Sequence, residues 1–354
     1  MLKLQKKRLF TSVKKSNNFS KNKIIFRCDA ANISGLGTGH VFRSINIANF
    51  LKKKFKLKKK QICFLIKHQD KFKIGYDIVK KNGFKIIKVN KTIRDYSPKE
   101  IKIFENHKSN LLIIDRLGKI NLRFIGKIKN NFKKKIILED SSANRREFDL
   151  SLNPLIRNIK NVKNSKIGFE YMIIKPINLI KLKNSSKNNI LLFFGGFDKK
   201  KYSKHILQIL NNMKSKLNIH LPQLYKKHLK NVQSIHNLKY FKNENFQKKL
   251  KISNIVICAG GLALFDSILL NKKIICLPQF DHQKNNAKQL NKMKAINYFT
   301  KVSKNKILNT FMKIYDNQIY EKKIKPIHNK IINKQKLNRN YNLIGKIYEQ
   351  SIKK

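Results

Sequence analysis

Gly35-Leu-Gly-Thr-Gly-His-Val-Phe-Arg43 follows the apolar, acid-terminated run Ile24-Ile-Phe-Arg-Cys-Asp29 and leads into an amphipathic stretch from Val41 to Leu51. Strand, glycine-rich turn and helix in that order bring backbone close to a ligand and aim free N–H groups at it. His40 falls where the helix should begin. A helix N-terminus disfavours positive charge, which suits a histidine acting as a base. Asp29, at the end of the preceding strand, is positioned to hold the other ring nitrogen. The same positions also suit a helix-capping or buried histidine and a strand-end turn residue. The G-x-G-x-G-H spacing differs from the dinucleotide fingerprint, and residues 51–60 contain no acid to hold a ribose. A P-loop motif is missing as well, so no cofactor is expected.

Outward from this stretch, short β-rich runs alternate with amphipathic ones. Strands are predicted at 23–28, 61–67, 84–89, 111–115, 135–139 and 150–153, with helices near 41–54, 76–81, 98–106 and 122–131. Strands rich in Ile and Leu with helices between them predict a parallel sheet covered on both faces. Several of these strands end in an acid or Asn, and ligand chemistry in such folds collects at the carboxyl ends. A polar stretch over 177–189 reads as a linker. A second alternating series follows, with strands at 190–194, 218–221, 238–241, 255–258 and 273–277 and helices at 202–214, 244–252, 263–270 and 285–293. The expected organisation is a basic extension over 1–22, a first domain over 23–178, a second over 188–335, and a helix over 336–354 packing back on the first. Two such domains enclose a cleft, a common ligand site.

The second series carries two paired glycines. Phe193-Phe-Gly-Gly-Phe-Asp198 and Cys258-Ala-Gly-Gly-Leu-Ala-Leu-Phe-Asp266 each join a strand to a helix. Each suits an ordinary tight turn. Together they suit a diphosphate held on helix N-termini, with Gly195, Gly196, Gly260 and Gly261 facing it. Asp266, about one turn into its helix, can accept from ribose hydroxyls. Leu277-Pro-Gln-Phe-Asp-His-Gln-Lys-Asn-Asn-Ala-Lys-Gln-Leu290 reads as a polar loop feeding a helix. Its Asp281, His282, Gln283 and Asn286 suit a sugar or a uracil, and equally a solvated loop.

The formal charge of +62 first points to nucleic acid or an anionic membrane. Only 10 of the 81 basic residues are arginine, however, and the 71 lysines are spread along the chain. Lys, Asn and Ile are enriched together, as an A/T-rich genome imposes, so no specific nucleic acid is expected. Cys28, Cys63, Cys258 and Cys276 lie apart in apolar runs, which reads as reduced, buried thiols in a cytoplasmic protein without a metal. No apolar run approaches the roughly 20 residues of a bilayer span, leaving peripheral membrane contact open. The first 23 residues, basic and acid-free, read as a disordered extension, with a transit peptide as the other reading.

Gly-Thr-Gly-His-Val-x-Arg, Glu139-Asp-Ser-Ser-Ala-Asn-Arg, Gly-Gly-Phe-Asp, Ala-Gly-Gly and Asp-His-Gln-x-x-Asn-Ala form an ordered set from about Ile24 to about Leu290. The set resembles the UDP-sugar hydrolase family of the pseudaminic-acid pathway and related spore-coat and surface-polysaccharide proteins. More distantly, the chain is similar to the UDP-GlcNAc transferase of peptidoglycan synthesis. The resemblance implies an α/β GT-B-like fold of two Rossmann-like domains with UDP bound chiefly by the second. It implies metal-independent hydrolysis of a UDP-linked amino-deoxy sugar. His40 would activate or position water, Gly37, Gly39 and Arg43 would lie by the substrate, and Asn286 would match an active-site asparagine, with Gln283 beside it. Three departures stand out. Leu262 and Ala263 replace hydroxyl residues, Asp115-Arg-Leu117 lacks a tyrosine, and Asp266 is one methylene shorter than Glu. A glycosyltransferase on the same frame is the alternative reading, and a basic nucleic-acid or anionic-surface binding protein a second.

Overall fold

The computed structural model describes residues 23–31, 33, 36–155, 159–174, 186–242, 245–332 and 337–353; the basic extension, Gly35 and most of the polar linker lie outside them. The first half runs β1 (Ile24–Cys28), α1 (Gly39–Lys54), β2 (Ile62–Lys67), α2 (Lys73–Lys81), β3 (Lys85–Val89), α3 (Pro98–Glu105) and β4 (Ser109–Gly118). It continues through α4 (Leu122–Ile128), β5 (Phe132–Asp140), β6 (Leu150–Asn153) and β7 (Ser165–Ile167). The second half comprises β8 (Asn189–Phe193), α5 (Tyr202–Leu210), β9 (Asn218–Pro222), β10 (Asn237–Phe241), α6 (Phe246–Ile252), β11 (Ile255–Cys258) and α7 (Leu262–Leu269). It closes with β12 (Lys273–Cys276), α8 (Asp281–Lys292), β13 (Asn297–Tyr298), α9 (Lys304–Tyr315), α10 (Gln318–Ile331) and α11 (Leu337–Ile352).

Both sheets are parallel. The first has the order β3-β2-β1-β4-β5-β6-β7 and the second β10-β9-β8-β11-β12-β13. Their strands are buried apolar runs because each sheet is covered twice. On one face of the first sheet, Ile24, Phe26 and Cys28 pack with Val41, Ile45 and Ala48 of α1 and with Tyr341, Ile344 and Tyr348 of α11. On the other, Ile25 packs with Ile101 and Phe104 of α3 and Phe124 of α4. The second sheet likewise divides its residues between two clusters. Local signals start several helices: the Ser97 hydroxyl accepts from the Glu100 amide ahead of Pro98, and the Asn121 side chain accepts from the Phe124 amide at 2.7 Å. Lys52, Lys53 and Lys54 complement the last turn of α1.

Strand order is what positions a site. The chain winds one way from β1 to β2 and β3, then crosses back to β4, so the order reverses between β1 and β4. It reverses again between β8 and β11. Ligands of open parallel sheets sit outside the carboxyl ends of the strands at such a reversal.

At the described start of the crossover between the halves, Phe169, Met172, Ile173 and Ile174 are buried. Phe169, Met172 and Ile174 join the core of the second sheet, with the Phe169 and Phe265 rings 5.3 Å apart, whereas Ile173 packs with the first. From α11, Asn340 donates to the carbonyls of Glu170 (3.0 Å) and Met172 (3.2 Å), and the Tyr341 hydroxyl donates to that of Ile174 (3.0 Å). The last helix thus clamps residues 170–174, at the start of the crossover. Short β7 and β13 and helices α9 and α10 were not among the expected elements. The two strands, three and two residues long, carry too little apolar pattern to stand out. Among the described residues, no helix is long and apolar enough to cross a membrane.

A buried histidine lies within the second sheet. His220 on β9 is 2% exposed, and neither ring nitrogen has a hydrogen-bond partner among the described residues. Burial, followed by Lys249 and Lys239, pushes its pKa down from 6.5 to about 4. A base with a lowered pKa contributes stability above its unfolded value and loses it as pH falls toward the folded one. The melting temperature is therefore expected to drop between about pH 6.5 and pH 4, and His220→Leu to flatten that drop. Equal slopes in thermal melts of the two proteins would rule out His220 as the cause.

Candidate functional site

The first half of the site is built on α1. The helix begins at Gly39, one residue before His40, and Thr38 at its cap makes no side-chain capping bond. His40 Nδ1 lies 2.8 Å from Asp115 Oδ1, at the carboxyl end of β4. Cys28 of β1 is in register with Asp115 of β4, so this pair marks the first strand-order reversal. Arg43, one helical turn after His40, donates from Nε to Asp115 Oδ2 (2.9 Å), from Nη2 to Asp115 Oδ1, and from Nη1 to Glu139 Oε1 (2.6 Å). The Ser44 hydroxyl adds a 3.3 Å bond to Asp115 Oδ2. Burial opposes charge on Asp115, but Arg43 and the bonds from Arg43 and His40 outweigh it and hold the carboxyl well below the usual range. An ionised carboxylate only accepts, so the proton of a neutral His40 sits on Nδ1 and Nε2 is left as the acceptor.

Two expectations change here. Asp29 does not hold His40; it accepts from the Lys67 amide at 2.8 Å and pairs with Arg27 at 2.7 Å, because its strand position turns it toward β2 and the arginine beside it. Arg43 does not reach the cleft. It is 2% exposed and engaged on two carboxylates behind His40. Asp115 is the partner, a residue set apart in the sequence only by the missing tyrosine of Asp115-Arg-Leu117. An acid closing an apolar strand was the available signal, but Asp29 and Glu139 carried the same one.

The second half of the site is built on the two glycine turns at the β8/β11 reversal. Gly195 has φ +93, a left-handed backbone that glycine adopts without strain. The Tyr225 hydroxyl accepts from the Phe194 amide (2.9 Å) and donates to the Gly195 carbonyl (2.8 Å). Gln279 Nε2 donates to the carbonyls of Phe194 (2.8 Å) and Phe197 (3.0 Å). Asp198 closes the turn by accepting from the amides of Tyr202 (2.9 Å) and Ser203 (2.8 Å) at the start of α5. The other turn is held by close packing. A Cβ on Gly260 would stand 2.9 Å from both Cβ and the carbonyl oxygen of Gln283. Gln283, on α8, accepts from the Gln279 amide at 2.9 Å and so links the two turns.

Asp281, His282 and Gln283 form the first turn of α8 rather than a loop, since the helix starts four residues earlier than expected. His282 stacks on Phe280 with centroids 5.8 Å apart. Its proton affinity is lowered by burial and then by His40, against Asp281, which puts the two histidines within electrostatic reach across the cleft. Asn286 is 1% exposed, and its Nδ2 has no partner among the described residues. Asp266 lies within α7, where its Oδ2 accepts from Gln247 at 3.1 Å.

The two reversals abut. A Cβ on Gly39 would lie 3.5 Å from Leu262 Cδ1, and one on Gly196 would lie 3.3 Å from Thr38 Cγ2. Gly37, at the mouth, has nothing within 4 Å of such an atom. His40 therefore stands opposite both glycine turns. The arrangement offers an imidazole with a carboxylate behind it, facing backbone turns suited to an anion.

No family model matches the sequence. Over 278 residues it is 27% identical to the uncharacterized protein MJ1062 of Methanocaldococcus jannaschii, covering 70% of this chain and 54% of that one. The chain thus spans about half the length of that relative. Among solved structures it is similar to MurG of Acinetobacter baumannii, with a TM-score of 0.64, 13% identity, and 93% and 99% of the two chains covered. The glycotransferase of kitacinnamycin gives a TM-score of 0.60 at 9% identity, covering 92% and 99%. HepE of Anabaena in complex with UDP-glucose gives 0.55 at 10%, covering 91% and 98%. At these identities the likeness establishes the fold, an α/β GT-B-like pair of domains.

The glycine packing can be tested directly. Gly260→Ala is expected to cost about 1–3 kcal/mol by overpacking against α8, whereas Gly37→Ala, in open space, stays within about 0.5 kcal/mol of the unmodified protein. Denaturant unfolding of the two variants measures the difference, and equal stabilities would contradict the close approach at Gly260.

Proposed function

We propose that the protein is a nucleotide-sugar-dependent glycosyltransferase that cleaves the bond between a sugar and a uridine diphosphate. The observation that carries this is the His40–Asp115 pair at one strand-order reversal, facing the paired-glycine turns of the other. The GT-B-like fold supports it, as does the presence among similar structures of a protein holding UDP-glucose. In this reading the diphosphate lies against the turns at Gly195-Gly196 and Gly260-Gly261, and Asp266 receives the ribose hydroxyls. Gly37 and Gly39 leave room for the sugar, with Asn286 and Gln283 on its far side.

His40 Nε2 takes the proton from an attacking hydroxyl as its oxygen bonds to the anomeric carbon. The carbon–oxygen bond to the β-phosphate breaks, and its electron pair leaves on UDP. A diphosphate departs as an anion without a general acid, so one base and an electrostatically prepared site suffice. Asp115 holds the imidazole in the required tautomer and stabilises the imidazolium, the role a buried carboxylate plays behind a catalytic histidine.

A second reading replaces the acceptor with water and makes the reaction a hydrolysis that supplies an amino-deoxy sugar to surface-polysaccharide synthesis. The ordered motif set from His40 to Asn286 favours it. Incubation with a panel of UDP-amino sugars, with and without acceptor extracts, separates the two. Acceptor-dependent release of UDP is the expected result, whereas equal release of free sugar and UDP without acceptor assigns the hydrolase. No UDP affinity by calorimetry, together with salt-dependent RNA binding, would sink both readings. His40→Ala is expected to lower turnover by about 10²-fold, the usual scale for a general base; near-normal turnover in the folded variant would remove His40 from that role.

A further inference from the structure

Resting on the proposed role of His40, we infer that Glu139 is a positioning residue: by taking up the charge of Arg43, it frees the Asp115 carboxylate to stabilise a proton on His40. The argument is a count of buried charges. Asp115 and Arg43 alone form a neutral pair, and Arg43 Nη2 lies only 3.3 Å from His40 Nδ1. A proton arriving on the imidazole would then face a cation at 3.3 Å beside the anion at 2.8 Å that should stabilise it. Glu139 changes this balance. It is 0% exposed and accepts from Arg43 Nη1 at 2.6 Å, on the side of the guanidinium away from His40's own bond. The three side chains then carry a net charge of about −1, and a proton on His40 brings the cluster to neutrality. In a water-poor interior that difference favours the charge state that develops as the nucleophile is activated.

Two further observations support a functional role for Glu139 over plain packing. Its backbone has φ +60, a left-handed conformation that a glutamate adopts at some cost, and its Oε2 is buried without a hydrogen-bond partner among the described residues. Burial raises the proton affinity of Glu139, opposed by Arg43 and then by His40. The groups facing His40 are Asp115 from β4, Arg43 from its own helix, Glu139 from β5 and His282 from α8.

The test follows the ring resonances of His40 by NMR through a pH titration, a readout that needs no turnover. In Glu139→Gln the ring is expected to titrate about one pH unit lower than in the unmodified protein, the scale of one nearby charge. Turnover should fall about three- to tenfold. The double variant Arg43→Gln with Glu139→Gln restores the net charge of −1 and is expected to recover most of the titration shift; a purely structural Glu139 would leave the double variant worse than either single one. If Glu139→Gln does not fold, the unmodified protein still decides, because its His40 ring should show a second, carboxyl-linked step at acid pH. A ring that titrates identically in the folded variant, or a single-step curve in the unmodified protein, overturns the inference. A protein that shows the expected ring shifts but turns over no UDP-sugar keeps the charge balance and refutes the proposed reaction instead.

Discussion

A single buried carboxylate organises the first half of this molecule. Asp115 accepts from Arg43 through two nitrogens, from His40 and from Ser44, and all three residues come from the first turns of α1. A charge removed from water is stabilised when its lone pairs are filled this completely. The helix is therefore pinned to the β1/β4 junction at a fixed rotation. That rotation turns one edge of the His40 ring toward Asp115 and the other toward the cleft. The glycines before the helix let it start close to the neighbouring domain, against Leu262 and the turn at Gly196.

The second half fixes its turns chiefly through bonds to backbone. Tyr225, Gln279, Asp198 and Gln283 hold the two glycine turns in place without a buried arginine among the described residues. This contrast bears on the extreme charge of the chain. Arginine is rare, yet Arg27, Arg43, Arg116 and Arg145 are all buried. Arg116 meets Glu100 through two nitrogens at 2.8 and 2.9 Å, and Arg27 meets the same carboxylate at 2.8 Å. Where two parallel bonds to one carboxylate are needed, the planar guanidinium is retained, and lysine fills most of the solvated positions. The surplus charge is a property of the surface, and the interior keeps its ion pairs close to balanced.

Much of this architecture was legible in the residues. Apolar runs of five or six residues separated by amphipathic stretches define buried parallel strands, and the paired glycines mark turns where backbone must approach something closely. His40 stood out because it directly follows such a turn, a position that suits a base as well as a capping or buried histidine. The crossover at 169–174 was harder to read. Its alternation between the two cores depends on which sheet lies on which side, and neighbouring residues do not record that. The start of α8 at Asp281 was obscured because a first turn of Asp, His and Gln looks like a solvated loop until Gly260 is seen packed against it.

By itself, then, the sequence determined that two doubly wound α/β units exist, where their glycine turns lie, and that a histidine heads the first helix. Those are local properties, written in hydrophobic period and in the backbone freedom of glycine. Only the tertiary structure decided which acid holds that histidine. Asp29, Asp115 and Glu139 each close an apolar strand and are equivalent along the chain. The strand order set them apart: β4 lies beside β1 beneath α1, Asp29 is drawn to Arg27 and the Lys67 amide, and Glu139 is left to balance Arg43.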